Sequence, residues 1–228
     1  HAEKRSSGTG GFALYGESSL PIYQDLNTSA GRAAAGLGQL PAGVSVLPIR
    51  VRTGDDASCL NLNRAQQPVL LGIDPKELAG RHAFTFVNPS DWPGGQDPWL
   101  LLNKAEADGA AAAIGDEATV TWGLGKKVGD TILYADERGR EFPVRIVGVI
   151  ANSIFQGSLL ISDANFTEWF PSIGGYRRML IDAPPGRSDA TAEAFTRALS
   201  DFGLELAPAG RRLEEFNTVQ NTYLSIFQ

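Results

Sequence analysis

Residues Gly115 to Asp182 read GDEATVTWGLGKKVGDTILYADERGREFPVRIVGVIANSIFQGSLLISDANFTEWFPSIGGYRRMLID, and this stretch decides the fold. A hairpin lies at its centre. Asp130 to Ala135 and Glu141 to Ile150 are rich in Ile, Val, Leu, Tyr and Phe, and Asp136-Glu137-Arg138-Gly139 between them is a charged turn closed by glycine. Two antiparallel strands need that pattern. On the second strand Phe142, Val144 and Ile146 alternate with Pro143 and Arg145, so one face seeks a core. From Val147 both faces are apolar, as in a strand entering the buried centre of a sheet. Nothing here is arranged for chemistry; the stretch reads as scaffold.

Downstream of the hairpin, Ser158 to Ser162 is a strand, and Ser162 or Asp163 caps a helix that carries Phe166, Trp169 and Phe170 and stops at Pro171. Arg177 to Asp182 forms another strand. Ser188 or Asp189 then caps the clearest helix, with Ala192, Phe195, Leu199 and Phe202 on one face and Gly203 at its end, and Leu204 to Ala207 returns as a strand. This tail is a strand-helix-strand unit with too few strands to bury a sheet by itself. An N-terminal strand-helix-strand would complete it.

Upstream, Glu117 to Leu124 reads as a helical turn and Ala110 to Ile114 as a short strand. Residues 57–109 contain Pro68, Pro75, Pro89, Pro93 and Pro98 and only short apolar runs. Within them Asp74 caps a short helix with Pro75 in its first turn. Val44 to Val51 is a strand in which Pro48 calls for an edge or a bulge. Asp25 to Gly38 is an alanine-rich helix capped by Asn27 or Thr28. Phe12 to Tyr15 is a strand broken by Gly16 and Pro21, and residues 1–11 form a polar, glycine-rich arm.

The chain has 228 residues, of which 43% are hydrophobic, so a packed core is affordable. Twenty basic residues stand against twenty-six acidic ones, a net charge of -6, and the densest basic spots are the pairs Lys126-Lys127, Arg177-Arg178 and Arg211-Arg212. A nucleic-acid surface would need a basic stripe, so no nucleic-acid partner is expected. Cys59 is the sole cysteine, which excludes an internal disulfide, a cysteine zinc cluster and a redox pair. The sequence begins at His1, and Met179 is its one methionine, which suggests a fragment or processed product. Leu213, Phe216, Gln220, Tyr223 and Phe227 recur at helical spacing and stop in mid-pattern. That run is an ordinary amphipathic helix or the lead-in to a membrane helix. It is itself too short and polar to span a bilayer, which takes roughly 20 apolar residues.

Catalytic devices are not evident. Gly16-Glu17-Ser18-Ser19-Leu20 lacks the second glycine of a serine elbow. The two histidines are His1, on a loose end, and His82, beside Arg81 in a loop, and neither their number nor their spacing suits a metal. Gly123 to Lys127 has the outward look of a phosphate loop, but Lys127 stands where the magnesium-binding hydroxyl belongs and Val120 where the first glycine belongs. No cofactor is therefore expected. Asp55-Asp56 and Glu214-Glu215 are adjacent pairs better explained by a solvated turn and a helix face than by acid-base work. Cys59 reads as a small buried residue, and Trp122 and Trp169 as core. Trp92 and Trp99 flank the Pro/Gly loop Ser90 to Pro98 and are the candidate partner-binding residues; burial under that loop is the alternative.

The stretch VTWGLGKKVGDTILYADERGREFPVRIVGVIANSIFQGSLLIS resembles the large extracytoplasmic domain of MacB/FtsX-type ABC transporter permeases. In that family a short helix ends in a K-x-G-D-x-I turn and the hairpin after it closes in x-I-V-G-V-I. Lys127-Val128-Gly129-Asp130-Thr131-Ile132 and Arg145 to Ile150 fill those places. Ser158 to Phe170 matches a later strand and acidic-capped helix, Asn221 to Phe227 the approach to a second membrane helix, and the arm before Phe12 the exit from a first. Residues 57–109 depart from the shorter family pattern. The motif is structural and brings no catalytic residue with it.

The resemblance implies an α+β fold. Residues 12–55 and 175–207 would form a porter-like α/β subdomain, with a β-rich subdomain, residues 56–174, inserted in it. Residues 1–11 would be a membrane-proximal arm and 208–228 a membrane-proximal helix. It implies a non-catalytic domain on the extracytoplasmic face of the bacterial cytoplasmic membrane, transmitting ATP-driven helix motion to a substrate or partner. The implied partners are a cytoplasmic ATPase subunit or domain acting through the membrane helices, a second permease copy and a periplasmic protein. The competing reading is a soluble periplasmic or secreted ligand-binding module using the Trp92–Trp99 loop. A hydrolase built on Ser18 or Cys59 is the weakest.

Overall fold

A computed structural model of the chain describes residues 4–53, 67–87 and 95–226. In chain order these form β1 (Leu14–Ile22), α1 (Ser29–Ala34), β2 (Ser45–Arg52), β3 (Val69–Ile73), α2 (Pro75–Arg81), β4 (Ala111–Asp116) and β5 (Thr131–Ala135). They continue with β6 (Glu141–Ile150), β7 (Ser158–Ser162), α3 (Asp163–Trp169), β8 (Tyr176–Asp182), α4 (Ser188–Ala198), β9 (Glu205–Pro208) and α5 (Ala209–Ile226). The fold class is α+β. The chain divides into two units, one of residues 1–49 and 174–228, the other of residues 50–173.

In the first unit the strands lie in the order β2-β8-β1-β9. β1 runs antiparallel to both β8 and β9, and residues 45–49 of β2 run antiparallel to β8. Each strand-helix-strand piece, β1-α1-β2 and β8-α4-β9, thus holds a parallel pair with a strand of the other piece between its members. This is the ferredoxin-like, split βαβ arrangement. Its core gathers Leu14, Ile22, Val46, Met179, Ile181, Phe195 and Leu199.

Local chemistry explains these elements, including two places where the sequence misleads. β1 continues through Gly16 and Pro21, which were expected to break it. Gly16 pairs with Met179 on one side and Leu206 on the other, and a Cβ there would meet Leu206 Cδ2 at 2.6 Å and Met179 Cγ at 3.0 Å. It is a close-approach glycine inside a central strand, and an irregular register between Glu17 and Ile22 accommodates the proline. The second misreading is the cap of α4. Its N-cap is Arg187, without a side-chain hydrogen bond, and Thr191 N–H and Oγ1 both donate to Arg187 C=O instead. For α1 the cap is Thr28, whose Oγ1 accepts from Gly31 N–H at 3.0 Å. Asn27 does something else. Its amide donates to Val46 C=O and accepts from Val46 N–H, each at 2.8 Å, closing the outer edge of β2. Pro48, two residues on, therefore also turns its nitrogen outward and costs no ladder bond.

The second unit orders its strands β5-β6-β4-β7-β3, with residues 50–52 of β2 antiparallel on β3. β3 is parallel to β7 and β4 to β6, while β4–β7 and β5–β6 are antiparallel. Phe142, Val144 and Ile146 are buried as the alternation requires. Val147 is still only partly buried, and burial on both faces begins at Gly148 and continues through Val149 and Ile150, one residue later than the sequence pattern suggests. Phe142, Val144, Ile146 and Val149 join Leu70, Val120, Leu159, Ile161, Phe166 and Phe170 in one core. Asp74 caps α2 by accepting from Lys76 N–H at 3.0 Å, and Ser162 caps α3 through Asn165 N–H at 3.1 Å.

α3 packs on β3 at Gly72, where a Cβ would lie 2.8 Å from Phe166 Cβ and Cγ. The contact is with the stiff root of a buried ring, so it has little room to relax. We expect Gly72→Ala to destabilise the protein by about 1–3 kcal/mol through overpacking, read as a lower urea midpoint at unchanged slope.

Candidate functional site

β4 is a wholly buried strand, AAAIGD, that ends on a carboxylate with no exposed surface, Asp116. Burying a charge is costly unless its oxygens are matched, and here they are. Thr119 donates to Asp116 Oδ1 through its backbone N–H (2.9 Å) and its hydroxyl (2.7 Å), and Ser153 Oγ donates to Oδ2 at 3.1 Å. The donors are themselves employed as acceptors. Thr119 Oγ1 takes Gly157 N–H at 2.8 Å, and Ser153 Oγ takes Phe155 N–H at 3.0 Å. One carboxylate thus ties the end of β4 to the turn after it and to the 151–157 loop. Burial raises the Asp116 pKa above the usual 3.8, and the bonds from Thr119 and Ser153 offset this in part.

The turn so anchored, Ala118–Gly123, is a π-helical turn. Leu124 N–H reaches back five residues to Thr119 C=O at 3.0 Å. The wider turn carries Thr119 and Val120 inward and turns Trp122 out, where it is 73% exposed. Trp122 is therefore not core, contrary to the sequence expectation, because a 3.6-residue period does not hold through this turn. Trp169 is half-buried and stacks on Phe142 at 4.1 Å and 6°. After the turn comes the K-x-G-D-x-I segment. Gly129 has φ +96° and donates to Ile146 C=O at 2.8 Å, while Asp130 Oδ2 accepts from Lys127 N–H at 3.0 Å. The motif's glycine and aspartate close a turn onto β6.

Two clefts flank segment 117–129. One, of about 800 Å³, is walled by Thr119, Leu124, Lys126, Thr131, Leu133 and Gln156 among others. The second, of about 600 Å³, includes Glu117, Thr121, Lys127, Val128 and Arg145. In it Arg145 grips Asp108 through both guanidinium nitrogens and Glu106 through one. The hydrogen bond from Arg145 pulls the Asp108 pKa down to about 2. The three side chains are thus engaged with one another, one guanidinium held between two carboxylates.

Of the two tryptophans expected to meet a partner, Trp92 lies outside the described residues. Trp99 is fully buried: its Nε1–H donates to Ala83 C=O at 2.8 Å, and its ring packs edge-on against Phe84 and Phe86. It anchors the 3₁₀ turn Pro98–Asn103 and offers no surface to a partner, which corrects that expectation. His82 ends α2 in the left-handed region, and its Nδ1 lies 2.8 Å from Asp97 Oδ2. Ser18 is buried, and its hydroxyl donates to Leu20 C=O at 2.7 Å, a main-chain carbonyl rather than a base. Cys59 and the pair Asp55-Asp56 lie outside the described residues, and Glu214 and Glu215 are exposed on α5. No group of three potential metal ligands occurs among the described residues.

No family model and no curated protein matches the chain. Solved structures do. The periplasmic region of MacB from Actinobacillus actinomycetemcomitans is similar at 13% identity and a TM-score of 0.45, over 95% of this chain and 94% of that one. The extracellular domain of the noncanonic ABC-type transporter YknZ from Gram-positive bacteria is similar at 14% identity and a TM-score of 0.43, over 86% and 98%. A domain from Porphyromonas gingivalis named as a permease protein is similar at 15% identity and a TM-score of 0.40, over 87% of each chain.

Asp116 supplies two tests. Asp116→Ala strands the Thr119 and Ser153 donors in the interior and should cost about 1–3 kcal/mol per unmet group, while Asp116→Asn keeps the shape and most of the bonds. The folded-state pKa lies above the unfolded one, so the folded protein binds the extra proton. The Asp116 contribution to stability is complete below the usual 3.8 and declines as pH rises through that value toward the raised one. We expect the difference in unfolding free energy between the wild type and Asp116→Asn, measured by urea titration across that range, to move against the wild type as pH rises.

Proposed function

We propose that this chain is a non-catalytic extracytoplasmic domain of an ABC transporter permease, carrying ATP-driven movement of membrane helices to a substrate or a partner protein outside the membrane. The observation that carries this reading is the segment 127–150, whose family-like residues each have a defined place: Gly129 and Asp130 close the turn onto β6, and Val149 and Ile150 run into the core. In this reading residues 12–55 and 175–207 are the porter-like subdomain and residues 56–174 the inserted β-rich one. Residues 1–11 and α5 lead to membrane helices. ATP is hydrolysed by a separate cytoplasmic subunit or domain, the permease works with a second copy of itself, and a periplasmic protein is its further partner. No helix among the described residues is long and apolar enough to cross a membrane, so the spanning segments of this reading are other parts of the polypeptide.

The packing of α5 favours a mechanical role. β9 ends at Pro208 and α5 begins at Ala209, with no linker between them. Ala209 is fully buried and donates its N–H to Ala13 C=O at 2.9 Å. One turn on, the Arg212 guanidinium lies over the rings of Tyr15 (4.2 Å) and Phe216 (5.1 Å). Its Nη2 is 3.5 Å from Glu17 Oε1, which also takes the Tyr15 hydroxyl at 3.2 Å and lies 3.3 Å from Arg178 Nε. A displacement of α5 is thereby passed to β1 and β8 without slack.

The placement is tested on the complete gene product. An apolar run of roughly 20 residues should border this chain on each side, and protease added outside the cytoplasmic membrane should cleave within it; finding neither run would overturn the reading. The docking of α5 is tested on the chain itself. Arg212→Ala removes a cation-π clamp of about 1–2 kcal/mol, so amide exchange in residues 209–216 should accelerate roughly ten-fold while the β4–β7 core keeps its protection.

A further inference from the structure

β5 is the outermost strand of the second unit's sheet, and its backbone register shows which groups it leaves outward. Asp136 N–H donates to Arg140 C=O, Ile146 N–H donates to Asp130 C=O, and Ile132 and Tyr134 stand opposite Val144 and Phe142. In an antiparallel pair the bonding alternates, so the even-numbered residues face β6, and Thr131, Leu133 and Ala135 turn their N–H and C=O groups away from it. Pro143, which has no N–H to give, sits opposite Leu133, consistent with that phase.

Natural sheets blunt such edges with lysine, proline or a bulge. The sequence TILYA, five residues long, has none of these. Leu133, an apolar side chain, is 54% exposed there. The Leu133 carbonyl already accepts an amide donor, Nε2 of Gln67, in the place a neighbouring strand's N–H would occupy. The 800 Å³ cleft follows this edge, with Leu124, Lys126 and Gln156 among the residues lining it. Lys126 is the one charged residue of that lining, and it belongs to no ion pair among the described residues.

We propose that this edge is a docking site for an extended segment of another protein. That segment adds as a strand along Thr131–Ala135, displaces the Gln67 amide, covers Leu133 with an apolar side chain and places a carboxylate at Lys126. Outward backbone groups in series recognise an extended peptide and little else. The lone lysine selects an acidic residue in that peptide. A second copy of β5 is disfavoured as the occupant, because TILYA carries no carboxylate to meet Lys126. The site does not depend on the membrane placement proposed above.

The test begins with a displayed library of unconstrained ten-residue peptides panned against the chain, and the strongest binder becomes a fluorescent probe. N-methylating alternate residues of that probe should abolish binding in one phase and spare it in the other, the signature of pairing along one edge. Leu133→Pro removes an outward N–H and no bond to β6, and Lys126→Glu reverses the charge. Each should weaken the probe roughly ten-fold or more. Should Leu133→Pro fail to fold, Leu133→Lys at the same exposed position replaces it. The proposal is overturned if panning yields no binder, if the binder ignores these substitutions or the phase of N-methylation, or if sedimentation shows copies of the chain pairing through an interface that Leu133→Lys abolishes.

Discussion

A strand-helix-strand piece cannot bury both sides of its own sheet, and the first unit exists because two such pieces, far apart in sequence, complete each other. The pairing of β1 with β8 joins Leu14 to Ile181, so the loop closed by that contact contains the whole second unit. Loop-closure entropy grows only slowly with length, which makes such an insertion thermodynamically tolerable, but contacts of this separation form late. The second unit has its own core around Phe142, Leu159 and Phe166 and contains the more local pairings. The β5–β6 hairpin is the most local of them.

Much of this was legible in the chain of residues. The hairpin, the Asp74 and Ser162 caps and the apolar face of α4 follow local rules, and the structure keeps them. The misreadings share a cause. Gly16 and Pro21 are ordinarily breakers, yet close packing against Leu206 and Met179 and an irregular register hold them inside β1. Trp122 lies in an apolar pattern that points inward at 3.6 residues per turn and outward in a π turn. Trp99 looked like a loop aromatic because nothing in its neighbourhood reveals that Ala83 C=O will receive its indole N–H. Such partners are set by tertiary structure, which periodicity cannot see.

The site had a faint signal. An aspartate one glycine beyond a run as apolar as Ala110 to Ile114, with a threonine three residues later, has the outline of a cap. What it caps is a π turn rather than an α-helix, and its third donor, Ser153, comes from 37 residues away. The resemblance in the K-x-G-D-x-I segment therefore tracks backbone geometry: Gly129 supplies a positive φ and Asp130 satisfies Lys127 N–H. A motif of this kind marks how a surface is held up.

The unbroken junction of β9 and α5 has a geometric corollary. Eighteen residues at the helical rise give a rod of about 27 Å, seated on the sheet at Ala209 and Arg212 in its first turns. A rotation of one degree at that seat therefore moves the far tip by about half an ångström. Small angular adjustments around Tyr15 and Glu17 become excursions at the other end comparable to side-chain packing tolerances, so the precision of the whole rod is set by the few atoms at its root.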